Sequence, residues 1–455
     1  MLVAPLAAAC GSVVVASPEP AVAQRVDACA LNADSARLLD TVVVALDRLP
    51  DPAHAPRPRT ESERLVFRHL YEPLIRVDCA GRAWPGLATS WVAADNGRRW
   101  TLTLRDGARF WDGTPVNARD VLASWAAGGS AGPAPWGGPL AEAVTIIDER
   151  TLEVRFVGAW DAVPVPLADP GLAVHQPAAT SSWPWGTGAW RTEQSSGALV
   201  AAPAFGGTLP VLRFRVTGGD ARDALDDGAD LLLTRDPAAV AYATRRPELA
   251  SLPLPWDRTY VLLQPWRARA ATGPVDLPDD VRADLEDAVR EEARPATRPF
   301  WWDDVGACSD GAAPPGETAP PDGDRMAYSA EDRTARDLTG RLVARATTWT
   351  QAREGVPRGG PRLVSAGLTP AEFARVLRAG TEGTFVLALP RTVLDPCAAV
   401  RELVGRAPWL AAAPGGPARA MAALVDTRPS VIVRRGVGRM TVDWDGTPSI
   451  ARQSP

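Results

Sequence analysis

Lysine is absent from this chain of 455 residues, so all 49 of its basic side chains are arginines. Mechanisms that need a lysine, such as Schiff-base formation or phosphate binding by a nucleotide-loop lysine, are therefore excluded. Histidine occurs only at His54, His69 and His175, which gives poor support for an imidazole metal site. The formal net charge of −5 also lacks the basic excess that a nucleic-acid-binding surface requires.

Cysteine is scarce as well, with five residues and no Cys-x-x-Cys pair, so the sequence does not predict a zinc site. Apart from Cys10, the cysteines are Cys29, Cys79, Cys308 and Cys397. An even number in an exported chain favours disulfides, for which three connectivities are open. Buried free thiols are the alternative interpretation.

The N-terminal segment is expected to direct export. Residues 2–16 form a nearly continuous apolar run that is too short to span a bilayer comfortably. Residues 21–23 then fit the small-residue cleavage site of a secretory signal before Gln24. Residues 6–11 support a competing interpretation, because they resemble a lipobox in which Cys10 is acylated. A buried apolar strand is a third interpretation, and residues 1–37 are expected to be this signal or lipoprotein lead with a flexible segment.

The remaining chain predicts a mixture of strands and helices with one large core or more. Apolar or alternating runs predict strands at residues 41–46, 100–105 and 151–156. The predicted helices cover residues 63–71, 117–127 and 281–293, and a further helix begins at the capping box of Thr369 and Glu372. Residues 303–324 are rich in Gly, Pro and acids, which is typical of a surface loop. Without a strict βαβ rhythm, the fold class is α/β or mixed α+β with more than one sheet.

An ordered set of short motifs resembles the extracellular solute-binding proteins of family 5, which serve ABC importers of peptides, nickel and related solutes. The set lies within about sixty residues, and each motif alone is a weak signal. Looser matches follow over nearly the full length. The motifs are residues 70–74, 84–91, 100–104, 105–110, 112–115 and 117–121; the looser matches are 186–190, 224–232, 281–293, 394–396 and 434–450.

The resemblance implies a two-lobed periplasmic-binding-protein-like fold of type II and the large cluster C type, with a hinge and an interlobe cleft. Lobe I would span residues 38–258, with 428–455 returning to it, and lobe II would span 259–427. The implied function is capture of a small organic solute, with peptides among the candidates, for a membrane ABC permease. The chain would be a periplasmic or lipid-anchored monomer without a cofactor, metal or enzymatic activity. The alternative is a degenerate relative that acts as an envelope scaffold or sensor.

Candidate ligand contacts are Arg48, Tyr71, Trp183, Trp185, Arg391, Thr392 and Asp395. The resemblance implies that peptide-binding relatives hold the ligand's amino terminus with an acidic residue. This residue lies three positions before an Asp-Pro pair, which corresponds here to the pair at Asp395. Thr392 occupies that position here, beside Arg391, and so a conventional peptide loses its counter-charge. Arg391 and Arg48 instead favour an anionic or neutral ligand, with surface positions as the alternative.

Two further hypotheses concern disulfides and catalysis. Pairing of Cys29 with Cys79 and of Cys308 with Cys397 would keep each bridge within one lobe and leave the hinge free. Residues 128–132 formally match a Gly-x-Ser-x-Gly nucleophile motif, but a helix precedes them and a Pro-rich loop follows. Because that motif requires a strand before it and a helix after it, a flexible loop is expected here.

Overall fold

The computed structural model describes most of the chain between residues 29 and 450. The described residues are 29–33, 38–127, 136, 138–160, 163–178, 181–193, 198–263, 285, 293–295, 325–352, 364–380, 383–390, 396–412 and 420–450. Within them, no helix is long and apolar enough to cross a membrane.

The strands in chain order are β1 (Ala30–Ala33), β2 (Thr41–Leu46), β3 (Ile75–Val77), β4 (Ala83–Pro85), β5 (Ala88–Ala94), β6 (Arg99–Leu104), β7 (Val144–Ile146), β8 (Thr151–Arg155), β9 (His175–Gln176), β10 (Trp185–Gly186), β11 (Trp190–Glu193), β12 (Leu199–Pro203), β13 (Val211–Val216), β14 (Leu231–Thr234), β15 (Leu249–Pro253), β16 (Arg258–Leu263), β17 (Ala293–Pro295), β18 (Arg325–Ser329), β19 (Val364–Leu368), β20 (Thr384–Pro390), β21 (Met421–Thr427), β22 (Ser430–Arg434), β23 (Gly438–Val442) and β24 (Pro448–Ile450).

The helices are α1 (Glu61–Leu70), α2 (Ala118–Ala127), α3 (Leu140–Ala143), α4 (Ala221–Asp226), α5 (Pro237–Ala243), α6 (Arg333–Ala352), α7 (Pro370–Ala379) and α8 (Pro396–Arg406). Short 3₁₀ helices cover Pro52–His54, Val165–Ala168, Pro170–Leu172 and Pro408–Ala412.

Lobe I is built on a seven-stranded sheet in the order β11-β12-β13-β2-β14-β22-β15. Strand β2 lies in the interior of this sheet, parallel to both β13 and β14. Its Val42, Val44 and Leu46 side chains enter one core, whereas Ala45 enters the core on the opposite face. Burial on both faces explains why β2 is a continuous apolar run.

A smaller four-stranded sheet, β5-β6-β8-β7, carries the predicted alternation. Trp100, Leu102 and Leu104 of β6 are all buried in one core, as the alternation predicts. Helix α2 covers this core with Val121 and Trp125. The helix begins where its capping pattern predicts, because the Asn117 side chain accepts the amide protons of Arg119 and Asp120.

Lobe II is built on a six-stranded sheet in the order β17-β21-β16-β20-β18-β19. Helices α7 and α8 pack on one face through Phe373 and Leu403, and α6 packs on the other through Leu338. The predicted capping box of Thr369 and Glu372 opens α7. The overall result is a mixed α/β, two-lobed fold, as the resemblance implied.

One predicted element ends differently in the structure. The helix expected at residues 281–293 is described only at Leu285, which is helical and buried. Ala293, expected to end that helix, instead begins β17 and pairs with Thr427 of β21. Pairing with an established strand satisfies the Ala293 backbone, and this tertiary contact overrides the local helical pattern.

The C-terminal segment returns to lobe I through a small sheet in the order β1-β23-β24. Buried ion pairs fasten it to α1, since Arg68 Nε lies 2.9 Å from Asp443 Oδ2 and its Nη2 lies 2.7 Å from Asp445 Oδ2. Burial acts to lower the pKa of the Arg68 guanidinium, but Asp445 and Asp443 outweigh it and the pKa rises. Arg68 therefore stays charged and paired inside the fold.

Cys29 and Cys79 form a disulfide within this part of lobe I. The backbone around the bridge is also paired, because Cys79 N–H donates to Val442 O at 3.0 Å and Val442 N–H donates to Cys29 O at 2.8 Å. This is the first of the two bridges that were hypothesised. Cys308 and the side chain of Cys397 lie outside the described residues, and so does Cys10.

The disulfide generates a stability prediction. Replacing both Cys29 and Cys79 by Ser should lower the free energy of unfolding by about 4 kcal/mol, because the bridge closes a loop with a sequence separation of 50 residues. Urea unfolding monitored by circular dichroism measures this loss. Reductant should destabilise the wild type by a similar amount, and wild-type stability in the double variant would contradict the prediction.

Candidate functional site

Two short chain segments join the lobes, and we call them the crossover: residues 254–257, between β15 and β16, and residues 428–429, between β21 and β22. They run side by side. Leu254 N–H donates to Pro429 O at 2.9 Å, and Asp257 N–H donates to Thr427 O at 3.3 Å. Two adjacent connections between packed lobes are the geometry of a hinge with a cleft beside it.

A cluster of charged residues surrounds the crossover. Arg235 follows β14 and forms a bidentate ion pair with Asp257, with a distance of 2.9 Å between Arg235 Nη1 and Asp257 Oδ1. Burial acts to lower the pKa of Arg235, but the Asp257 carboxylate outweighs it and the pKa rises. Glu61, at the start of α1, lies 3.7 Å from Arg235 and 3.8 Å from Arg258. Sequence reasoning missed this cluster, because its members are far apart in the chain.

The loop after β2 carries Arg48, whose side chain is exposed. The buried Glu63 carboxylate organises this loop. It accepts the Arg59 amide proton at 2.6 Å and contacts His54 Nδ1 at 2.7 Å. Burial raises the pKa of Glu63, but these hydrogen bonds outweigh burial and hold the pKa below its usual value. Arg48 is therefore presented on a loop with a fixed anchor.

The predicted aromatic residues divide into buried and half-exposed side chains. Tyr71 is buried, its hydroxyl donates to Pro184 O at 3.1 Å, and its ring lies 5.6 Å from that of Trp111. Burial raises the pKa of the Tyr71 phenol, which stays neutral. The structure thus gives Tyr71 a packing role in lobe I. Trp183 and Trp185 are only partly buried against the same core, so part of each ring remains accessible.

The glycines of residues 186–188 allow a close approach between two backbones. Trp111 N–H donates to Gly186 O at 3.1 Å, and Gly188 N–H donates to Leu70 O at 3.0 Å. A Cβ atom at Gly188 would lie 2.5 Å from both His69 O and Leu70 O. Only glycine fits there, and so the motif fixes the segment that follows the half-exposed Trp183 and Trp185 against the end of α1.

A second motif pair is also structural. Arg105 binds Glu72 through two hydrogen bonds of 2.9 and 2.8 Å, and its Nη1 also donates to Gly86 O at 2.7 Å. Burial acts to lower the pKa of Arg105, but its bonds with Glu72 outweigh burial and raise it. These contacts join three of the sequence motifs. Their regularity therefore reflects the packing of lobe I.

The histidines serve as structural partners. His54 contacts Glu63, and His175 Nδ1 lies 2.8 Å from Ser124 Oγ. Ser124 is buried at 4% exposure and also accepts the His175 amide proton, so this pair lacks the open access that a nucleophile needs. In the described part of the chain, no group of three His, Cys, Asp or Glu residues could hold a metal ion.

Several candidates lie outside the described residues. They are the ligand candidates Arg391, Thr392 and Asp395, and Ser130 with its Gly-rich loop. Of the predicted ligand contacts, the structure therefore places Arg48 on the loop after β2, Tyr71 in the core, and Trp183 and Trp185 half-exposed on the core of lobe I.

The glycine motif generates a prediction with a matched control. Gly188→Ala should lower the free energy of unfolding by about 1–3 kcal/mol, because its Cβ would force two backbones apart. Gly218→Ala, where no atom lies within 4 Å of the new Cβ, should change it by at most about 0.5 kcal/mol. Thermal unfolding of both variants distinguishes them, and equal stabilities would contradict the close-approach argument.

His69 generates a pH prediction. Its Nδ1–H donates to Leu65 O and its Nε2 accepts the Ile450 amide proton, so a second ring proton has no acceptor. Mainly because of burial, the pKa of His69 falls from 6.5 to about 4. The unfolded chain then binds more protons than the folded chain below pH 6.5, and about 3 kcal/mol of stability should disappear between pH 6.5 and 4.

The measurement compares urea unfolding of the wild type and His69→Gln at pH values from 7 to 4. The variant should lose less stability on acidification than the wild type, since Gln has no proton to take up. Parallel stability profiles of the two proteins would show that His69 does not contribute to the acid sensitivity.

Comparison with known proteins identifies local sequence relatives. The family described as bacterial extracellular solute-binding proteins, family 5 Middle, matches residues 83–210. The periplasmic murein peptide-binding protein MppA of Escherichia coli (strain K12) is 50% identical over 60 residues, which cover 13% of this chain and 11% of MppA. The sequence match therefore spans only about a tenth of that relative's length.

Solved structures match over nearly the whole fold. NikA from Brucella suis, in complex with Fe(III)-EDTA, superposes with a TM-score of 0.63 at 13% identity and covers 88% of this chain and 96% of NikA. The Escherichia coli murein tripeptide binding protein MppA superposes with a TM-score of 0.56 at 16% identity and covers 92% of this chain and all of MppA (100%). At these identities, the likeness establishes the shared two-lobed fold.

Proposed function

We propose that this chain is the substrate-binding component of an ABC importer, because residues 83–210 match the bacterial extracellular solute-binding proteins of family 5. It captures a small organic solute in the cleft between its lobes. The observation that carries this proposal is the crossover, in which two adjacent segments connect two separately packed sheets. Such a connection lets the lobes close on a ligand and present a combined surface to a membrane permease.

The lobes of this proposal are residues 38–258 with 428–455, and residues 259–427. The chain works as an exported monomer in the periplasm or at the outer face of the membrane, with Cys10 as the candidate lipid attachment site. It binds its solute without a cofactor and without changing it chemically. The Ser124–His175 pair supports this assignment, because it is buried among structural hydrogen bonds.

The proposed solute class rests on two arginines of the sequence. Arg48 is exposed on the loop after β2, and Arg391 stands beside Thr392 where an acidic anchor is expected. These residues favour an anionic or neutral solute over an ordinary cationic peptide amino terminus. The half-exposed Trp183 and Trp185 add aromatic surface that orders a ligand at low entropic cost.

A thermal-shift panel tests the proposed function. It contains metal chelates and murein-type peptides, because solved structures with this fold were determined with or named for such molecules, and it adds other oligopeptides and sugars. A true ligand at 100 times its Kd should stabilise the folded chain by about 2.7 kcal/mol. A response to none of these classes would contradict solute capture and favour a scaffold or sensor.

The proposed contact between Arg48 and the solute generates a second prediction. Arg48→Ala should weaken binding of an anionic ligand identified in the panel by about tenfold or more, because a charge-assisted contact is lost. The melting temperature of the ligand-free chain should not change, since the side chain is exposed. Isothermal titration calorimetry measures the affinity, and Arg119→Ala, an exposed arginine on α2, is the matched control. Equal affinities of the two variants would contradict a contact between Arg48 and the ligand.

A further inference from the structure

Glu61 contacts one arginine beside each of the two large sheets. It occupies the first position of α1, which belongs to lobe I. Its Oε1 atom lies 3.7 Å from Arg235 Nη2, which follows a strand of the seven-stranded sheet. The same oxygen lies 3.8 Å from Arg258 Nη2, at the first residue of the six-stranded sheet. One carboxylate oxygen therefore bridges the two lobes at the crossover.

The two kinds of ion pair at the crossover differ in strength. The Arg235–Asp257 pair is bidentate, and its side chains are 20% and 19% exposed. The Glu61–Arg258 contact is longer, at 3.8 Å, and its side chains are 36% and 33% exposed. A short, shielded pair persists when the lobes rotate slightly, whereas a longer pair open to water can form and break.

Each partner of the longer pair is fixed to its own lobe. The Thr60 side chain caps α1 by accepting the Glu63 amide proton, and the packing of α1 in the core holds Glu61 with lobe I. Arg258 is the last residue within the proposed bounds of lobe I, but its backbone already belongs to the six-stranded sheet of lobe II, because it pairs with Pro390 of β20 and Thr427 of β21. Rotation of one lobe about the crossover must therefore change the distance between Glu61 and Arg258.

From this geometry we propose that Glu61 and Arg258 form an interlobe latch, and that Arg235 and Asp257 form the pivot beside it. The latch sets the ratio of the two interlobe arrangements in the ligand-free chain. Salt weakens it, because its charges are partly exposed. The inference rests on the proposed function only in requiring that the lobes move, and it is independent of the identity of the solute.

The latch also affects binding. For a ligand that binds one interlobe arrangement, the apparent Kd equals the intrinsic Kd divided by the fraction of chains already in that arrangement. Removing the latch should therefore change the affinity for the solute although neither Glu61 nor Arg258 needs to touch it. Within lobe I, Arg48 has a different role, since it is proposed to contact the ligand directly.

The experiment measures interlobe distances in the ligand-free, full-length chain. Double electron–electron resonance is recorded between genetically encoded spin labels at Asp223 on α4 and Ala374 on α7, both of which are exposed. Such labels leave the native cysteines unmodified. The measurement is repeated from low salt to 1 M NaCl for the wild type, Glu61→Gln, Arg258→Gln and the double variant.

We expect each single variant to shift the ratio of the two distance populations by about two- to fivefold, the range for a partly exposed ion pair. The double variant should shift it no further than Glu61→Gln, because Glu61→Gln already removes the contact that Arg258→Gln removes. High salt should move the wild type toward the variants and leave the variants unchanged. Glu61→Gln also removes a charge from the first turn of α1, where it interacts with the helix dipole, whereas Arg258→Gln does not. Equal shifts of the distance populations in the two variants would therefore come from loss of the latch.

Glu153→Gln is the matched control, because Glu153 lies 3.8 Å from Arg99 within the four-stranded sheet of lobe I. It should reproduce both the wild-type distances and the wild-type salt response. Wild-type distances in Glu61→Gln and Arg258→Gln would overturn the latch, and so would a wild-type distribution that is identical at low and high salt. The salt series needs no variant, so a variant that fails to fold leaves the inference testable. Absence of a ligand in the thermal-shift panel would contradict only the proposed function.

Discussion

The position of β22 in the seven-stranded sheet is the constraint on which the two-lobed structure depends. The chain leaves lobe I after β15, builds the six-stranded sheet and returns as β22, which pairs with β14 on one side and β15 on the other. Because β15 and β22 are antiparallel neighbours, the outgoing and returning segments must cross side by side. The crossover and its charged cluster both follow from this one pairing.

Charge holds this architecture together at two buried places with different consequences. The pairs of Arg68 with Asp443 and Asp445 lie inside lobe I and fasten the returning C-terminal strands to α1. The pair of Arg235 with Asp257 lies at the crossover itself. Removing one partner of either buried pair leaves the other charge unpaired in the interior, which costs several kcal/mol of folding free energy. The first pair therefore fixes the returning C-terminal segment within lobe I, and the second fixes the outgoing segment of the crossover to the end of β14.

Much of the regularity in the sequence proves to be structural. The glycines at residues 186 and 188 let their backbone pack closely against the backbone at the end of α1. The Glu72–Arg105 pair joins neighbouring motifs within lobe I. Tyr71, which lies in one of those motifs, is buried with a satisfied hydroxyl. These motif residues therefore build the scaffold of lobe I. Arg48, the proposed solute contact, lies on the exposed loop after β2, before the first of these motifs.

The sequence by itself determined the features that depend on neighbours along the chain. The alternation of Trp100, Leu102 and Leu104 predicted a half-buried strand, and the side chains of Asn117 and Thr369 predicted helix starts, because period and capping are local. Only the tertiary structure decided that Ala293 joins a strand and that Glu61 meets arginines almost two hundred residues away. Such contacts depend on how separate elements pack against each other. A local sequence pattern therefore cannot show which distant residue will become the partner.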